Sequence, residues 1–199
     1  MSADKKTLIY EAALSLVYET NDLSSIKVAD IAERANIGKG TVYEYFDSKE
    51  QVIGEALIFM FKEGIDSFGK LIDEGKGFKE TYKQFLFNFN TLMKKNKNLY
   101  NFMTINHRNL AIHTTIHSIL QAEMEEFRKK YFKMVEKLVV KSVDEGIIQP
   151  DYTQYEWQAA VLSSITWIFL YNQFPEDFTT LTDEDVLEKA YTAYVKLLN

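Results

Sequence analysis

Apolar residues recur at helical spacing along the chain, and no stretch alternates apolar and polar positions as a half-buried strand would. Ile9, Ala12, Ala13, Leu16 and Val17 fall at i, i+3, i+4, i+7 and i+8, which predicts an amphipathic helix over residues 4–19. The turn-forming run from Asn21 to Ser25 leads into a second helix, opened by Ser25 or Lys27 and reaching about Ala35, with Val28, Ile31, Ala32 and Ala35 on one face. Asn36 follows at the turn, where positive φ is commonly needed and Asn tolerates it best among non-glycine residues. A third, short helix from about Lys39 to Phe46 buries Val42, Phe46 and part of Tyr45, and leaves Gly40, Thr41, Tyr43 and Glu44 outward. So short a helix must be held by its neighbours.

Ser48 with Gln51 three residues on reads as a capping box that opens a long helix to about Asp73. Gly54, Gly64 and Gly69 inside it predict close packing or a bend. After the break Glu74 to Gly77, an aromatic-faced helix is expected from Phe78 to about Lys95, followed by a solvated turn over Lys94 to Asn98. Leu99 to Leu120 is less regular and suggests one or two short helices carrying all three histidines. Gln121 to Glu145 has strong helical propensity and ends at Gly146, a suitable C′ residue, with Pro150 beyond it. Thr153 and Glu156 form another capping box, opening a helix to about Phe174 that is apolar nearly all round and so needs cover on more than one side. The last helix runs from about Asp183 to Leu198. The fold class is therefore all-α.

Composition adjusts this picture at three points. With 46% hydrophobic and 26% charged residues, the 199-residue chain sits in the ordinary soluble range and should bury a real core. It has no cysteine, which removes disulfides, thiolate zinc sites and cysteine nucleophiles. No export signal opens the chain and no stretch reaches the roughly 18 apolar residues of a spanning helix, so a soluble, cytoplasmic protein is expected. The net charge of −6 argues against a general polyanion binder. Even residues 1–50 hold only Lys5, Lys6, Lys27, Arg34, Lys39 and Lys49 against nine carboxylates. Any contact with nucleic acid must rest on the placement of a few cations.

The pattern Ile9-x-x-Ala12-Ala13, then Asp30 to Ala35, then Gly38-Lys39-Gly40-Thr41-Val42-Tyr43-Glu44-Tyr45-Phe46, then Ser48-Lys49-Glu50 resembles the N-terminal domain of the TetR/AcrR transcriptional regulators. The motif-level resemblance covers about the first quarter of the chain. The remainder is similar in architecture alone, with further helices, the turn at 145–151 and two apolar terminal helices. The resemblance implies a three-helix helix-turn-helix domain over 1–50, joined by the long helix to a ligand-binding and dimerisation domain over 51–199. It implies a homodimer on a near-palindromic operator, most simply a repressor, released when a small molecule enters the larger domain. Two residues depart from the family's usage: Asn36 stands where a turn glycine is usual, and Glu44 where a neutral or basic residue is common.

Physical chemistry at these positions agrees. Lys39 joins a cation to the free N–H groups of a helix start, suited to a phosphate or a guanine edge. Thr41 reaches a phosphate or a thymine methyl, and Tyr43 offers a ring and a hydroxyl. Glu44 either accepts from a cytosine amino group or repels phosphate. The resemblance implies that Tyr45 contacts phosphate, Lys49 and Lys27 are the further candidates for backbone contacts, and Lys39, Thr41, Tyr43 and Glu44, with Gly40 on the same outward face, are the candidates for reading bases.

For a ligand, expected to be small and mostly apolar, the aromatic stripe Tyr82, Phe85 and Phe89 with Phe102 and Met103 lines either a cavity or simply the core. His113 and His117, four residues apart, with His107 nearby, are polar lining residues in the plainer reading. No cofactor or metal is called for. The alternative is an all-α metal-dependent hydrolase using His113 and His117, and a third reading is a ligand-binding scaffold with a vestigial helix-turn-helix. The terminal helices predict self-association through Trp157, Val161, Ile165, Ile168, Leu187, Tyr191 and Tyr194.

Overall fold

The computed structural model describes residues 4–20, 22–95 and 110–199, excepting the side chains of 110–120, 122–124 and 126–127. Within them lie eight α-helices and no strand: α1 Lys5–Glu19, α2 Val28–Arg34, α3 Lys39–Tyr43, α4 Lys49–Asp73, α5 Phe78–Lys95, α6 Leu110–Asp144, α7 Gln154–Gln173 and α8 Asp183–Leu197. Among the described residues no helix is long and apolar enough to cross a membrane. The chain forms two compact units. One contains the residues up to Gly64 and α6 up to Lys129; the other contains 65–95 and 130–199.

In the N-terminal unit the stripe seen in the sequence is the core. Ile9, Ala13, Ile31, Val42, Ile53 and Leu57 are essentially inaccessible and belong to one apolar cluster. Asn36 takes φ 55° and closes α2. Its N–H donates to Glu33 O at 3.0 Å and that of Ile37 to Ala32 O at 3.0 Å, the paired bonds that satisfy the last carbonyls of a helix. The same device ends α6, where Gly146 has φ 69° and the N–H groups of Gly146 and Ile147 donate to Val143 and Ser142 carbonyls, each at 2.9 Å. Among the described residues a Cβ at Gly64 or Gly69 would meet nothing within 4 Å, so close packing to them, one of the two expected reasons, does not explain these glycines.

In the C-terminal unit α7 packs along α8, and α5 packs on both. Phe78, Tyr82, Tyr191 and Tyr194 cluster with ring centroids 4.8–6.4 Å apart. Glu145 accepts the Phe78 N–H with both carboxylate oxygens at 2.8 Å, placing a negative charge at the start of α5, where the helix dipole favours it. α6 begins at Leu110, earlier than the expected 121, so part of the stretch read as short helices is one continuous helix. No glycine or proline interrupts 110–144, so nothing in the sequence breaks the helix there.

Candidate nucleic-acid interface

α3 has five residues and owes its position to two apolar anchors, Val42 at 1% exposure and Phe46 at 2%. Anchoring these turns the opposite face out: Lys39, Gly40, Tyr43, Glu44 and Tyr45 are exposed and Thr41 is half-buried. Gly40 faces open space, with no atom of the described residues within 4 Å of the Cβ it lacks. That bare patch allows a DNA backbone or base edge to approach closely. The Lys39 ammonium lies 5.8 Å from the Tyr43 ring centroid, so charge and ring form one patch.

Few cations here are free. Arg34 is spanned by Glu19, with N–O distances of 2.7 and 2.8 Å, and also donates to Ser15. This pairing holds the Glu19 carboxyl below its ordinary value and raises the Arg34 guanidinium. Lys6 is paired with Glu55 at 3.0 Å. Among the described residues Lys27 and Lys39 have no carboxylate partner, which leaves them available to phosphate. Lys27 is exposed at the start of α2; its N–H goes to the Asp30 carboxylate at 3.0 Å while its side chain makes no cap bond.

Lys49 is placed differently from a free clamp. Its ammonium donates to the carbonyls of Ser24, at 2.7 Å, and Ile26, at 3.0 Å, tying the start of α4 to the turn before α2. One of its three N–H groups remains for another acceptor. Proximity in sequence carries no hint of this tie, because the partners lie 25 and 23 residues away.

The aromatic stripe of α5 divides. Tyr82 is fully buried and its hydroxyl donates to Ser164 Oγ at 3.0 Å, so it belongs to the core; burial pushes its hydroxyl pKa well up. Phe85 and Phe89 are partly exposed, and Phe85 stacks on Phe68 at 4.1 Å, a partner the sequence pattern did not single out. Phe102, Met103 and His107 lie outside the described residues. His113 and His117 fall on α6, with side chains outside them as well. A groove of about 620 Å³ lies between the end of α4 and α6, lined by Asp73, Lys133, Glu136, Lys137, Lys141 and Asp144 among others, and Tyr82, Phe85 and Phe89 do not border it.

The residues expected at a dimer face are mostly buried within the single chain. Trp157, Val161, Ile168, Tyr191 and Tyr194 are at most 8% exposed within the single chain, and Ile165 and Leu187 are half-buried. They form the contact of α7 and α8 with the core. The apolar residues that α7 turns outward are others: Tyr155 at 80% exposure, Leu162 at 57% and Leu170 at 37%, with Phe174 just beyond at 41%. An all-round apolar helix has two candidate faces, and spacing alone does not say which one the chain covers itself.

Residues 9–56 match the family described as bacterial regulatory proteins, tetR family. The match covers about a quarter of the chain, its N-terminal segment. It lies in the segment of the DNA-binding reading and lends no support to the hydrolase alternative for His113 and His117. The HTH-type transcriptional regulator YhgD of Bacillus subtilis is 31% identical over 87 residues, a match spanning 44% of this chain and 45% of that relative. The fatty acid metabolism regulator protein of the same organism is 27% identical over 146 residues, 71% of this chain and 69% of its own length. Among solved structures, the fatty acid degradation regulator FadR of Bacillus halodurans superposes with a TM-score of 0.67 over 100% of this chain and 97% of its own, at 15% identity. FadR of Bacillus subtilis in complex with stearoyl-CoA gives 0.64 over 97% of each chain, at 19% identity. These two likenesses show a shared fold.

Proposed function

We propose that this protein is a TetR-family repressor that binds a near-palindromic operator as a homodimer and is released by a small, mostly apolar molecule. The observation that carries the reading is the outward face of α3, where Lys39, Gly40, Thr41, Tyr43 and Glu44 stand clear of the core that Val42 and Phe46 anchor. In this reading residues 1–50 bind DNA and 51–199 bind the ligand and the second subunit. Lys27, Tyr45 and the remaining N–H of Lys49 contact phosphate, and the α3 face reads bases. With six cations against nine carboxylates in residues 1–50, one copy binds weakly. Two copies set one or more helical turns apart, roughly 34 Å each, supply the affinity.

The exposed stripe Tyr155, Ala159, Leu162, Thr166 and Leu170 follows one face of α7 and is the proposed meeting surface of the two copies. For the ligand, the half-exposed Phe85 and Phe89 offer an apolar wall. The stearoyl-CoA held by the Bacillus subtilis FadR supports an acyl chain as the apolar portion.

Selection of duplexes from a random pool by the purified protein tests the first part, and release of the enriched duplex by stearoyl-CoA tests the second. Tyr43→Ala is expected to weaken the enriched duplex about 10- to 100-fold, the cost of one lost base contact. Lys49→Ala should reduce the slope of log K against log salt by about 1. Enrichment of no sequence by the wild-type protein would overturn the reading. Leu162→Glu should convert a dimer to monomers in sedimentation; an unchanged dimer removes α7 from the interface.

A further inference from the structure

Glu55, on the second turn of α4, sits at the centre of a polar chain that the DNA-contact residues do not include. Its Oε2 accepts from Tyr10 Oη at 2.7 Å and lies 3.0 Å from the Lys6 ammonium, both on α1. Its Oε1 accepts from Gln51 Nε2 at 2.9 Å. Gln51 in turn accepts the Asp47 N–H on its Oε1 at 2.7 Å, and its own N–H donates to Ser48 Oγ at 3.1 Å. The chain therefore runs from α1, through α4, to the backbone of the turn that leaves α3. Ring contacts follow the same path. Tyr10 lies 5.7 Å from Phe46, the anchor at the exit of α3, and the Lys6 ammonium is 5.3 Å from the Phe46 ring.

We infer that Glu55 is a positioning residue for the reading helix: it holds the exit of α3 against α1 and so sets the placement of Lys39 and Tyr43 on the bases. Apolar anchors do not suffice for this. A five-residue helix gripped by Val42 and Phe46 is fixed in depth, but dispersion contacts are non-directional and leave it free to pivot. Directional bonds to the backbone of Asp47 remove that freedom. The bonds also mark Glu55 electrostatically. Burial pushes its carboxyl up, yet the bonds from Tyr10, Lys6 and Gln51 outweigh burial and hold it below the ordinary value. Burial and the bond to Glu55 push the Tyr10 hydroxyl up to about 12, so the pair stays in its donor and acceptor forms across the physiological range. A partly exposed ion pair of this kind adds little stability, which leaves geometry as its larger contribution. Contact surfaces need their side chains held within about 0.5 Å.

This inference rests on the operator-reading role proposed above, and the test separates the two. Full-length wild type, Glu55→Ala, Glu55→Gln and Tyr10→Phe are titrated by fluorescence anisotropy against the duplex enriched by wild type and against a scrambled duplex of equal length. Glu55→Ala is expected to lower the enriched-to-scrambled affinity ratio about tenfold, equivalent to one mismatched base pair. The salt slope and scrambled binding should stay at wild-type values, because the phosphate contacts are intact. Glu55→Gln, which keeps an acceptor oxygen, should recover part of the ratio. Tyr10→Phe keeps the ring against Phe46 and loses only the hydroxyl; it should lower the ratio about threefold, and it decides the matter if Glu55→Ala does not fold. An unchanged ratio in Glu55→Ala or Tyr10→Phe, or equal loss on both duplexes, overturns the positioning role. If wild type enriches no duplex, the operator-reading role falls and this inference with it.

Discussion

The two units solve the problem of fixing helices in different ways. The N-terminal unit has an apolar interior, and its polar bonds run along the rim, through Arg34 and Glu19 on one side and Glu55, Tyr10 and Lys6 on another. The C-terminal unit carries its polar groups inside. All four buried polar residues among those described, Thr81, Asn90, Ser142 and Ser164, belong to it. Tyr82 pairs with Ser164, and Asn90 with Asn172 at 2.8 Å, so two bonds eight residues apart on both α5 and α7 fix the register of these helices. Tyr194 and Ser142 make a third contact at 3.3 Å. The difference teaches where specificity is stored. A small reading head can rely on packing for depth and on rim bonds for direction, whereas an aromatic core with many interchangeable rings needs interior polar bonds to select one arrangement.

The largest test of this contrast removes a ring from the polar core. Tyr194→Ala, at a site with no solvent exposure, should cost about 3–5 kcal/mol in denaturant unfolding. A cost below 1 kcal/mol would mean that the ring cluster is loosely packed.

Next in size, Asn172→Leu leaves the buried Asn90 Oδ1 without its donor and should cost about 1–3 kcal/mol. Replacing both residues with Leu should recover most of that stability while broadening the side-chain spectrum of α5. Full stability together with an unchanged spectrum in the double variant would break the argument for register.

The smallest effect is in pH. Carboxyls on both rims are held low: Glu55 by its bonds from Tyr10, Lys6 and Gln51 against the opposing effect of burial, and Asp183 by the Lys94 ammonium. A group with a depressed folded pKa contributes stability that is present above the unfolded value and lost as pH falls through the folded one. Urea midpoints should hold steady down to about pH 4.5 and then decline in both units, by roughly 0–1 kcal/mol for each exposed pair. On the alkaline side the raised hydroxyls of Tyr10 and Tyr194, both at about 12, reverse the sign. Their contribution is present below 10 and lost as pH rises through 12. A midpoint that rises on acidification below pH 4 would contradict the assigned bonds.

Much of the reading head was legible along the chain, because its determinants are local. The stripe Ile9 to Val17, the positive φ at Asn36 and the outward side of α3 follow from periodicity and turn chemistry within a few residues. The bounds of α5 were legible for the same reason, between a glycine-containing break and a polar run. Residues paired across long separations were not. Lys49 finds Ser24 and Ile26, Glu55 finds Tyr10 from 45 positions away, and Glu145 caps α5 from 67. Each is an ordinary charged residue until the fold delivers its partner.

The terminal helices mark the boundary between the two kinds of information most clearly. Their sequence determined that α7 is a helix, that Thr153 and Glu156 open it, and that it is too apolar to be covered on one side only. Tertiary structure decided which side. Trp157, Val161 and Ile168 went inward with Tyr191 and Tyr194, and Tyr155, Leu162 and Leu170 were left out. Hydrophobicity has magnitude but no direction, so a helix apolar all round takes its orientation from the neighbours it meets.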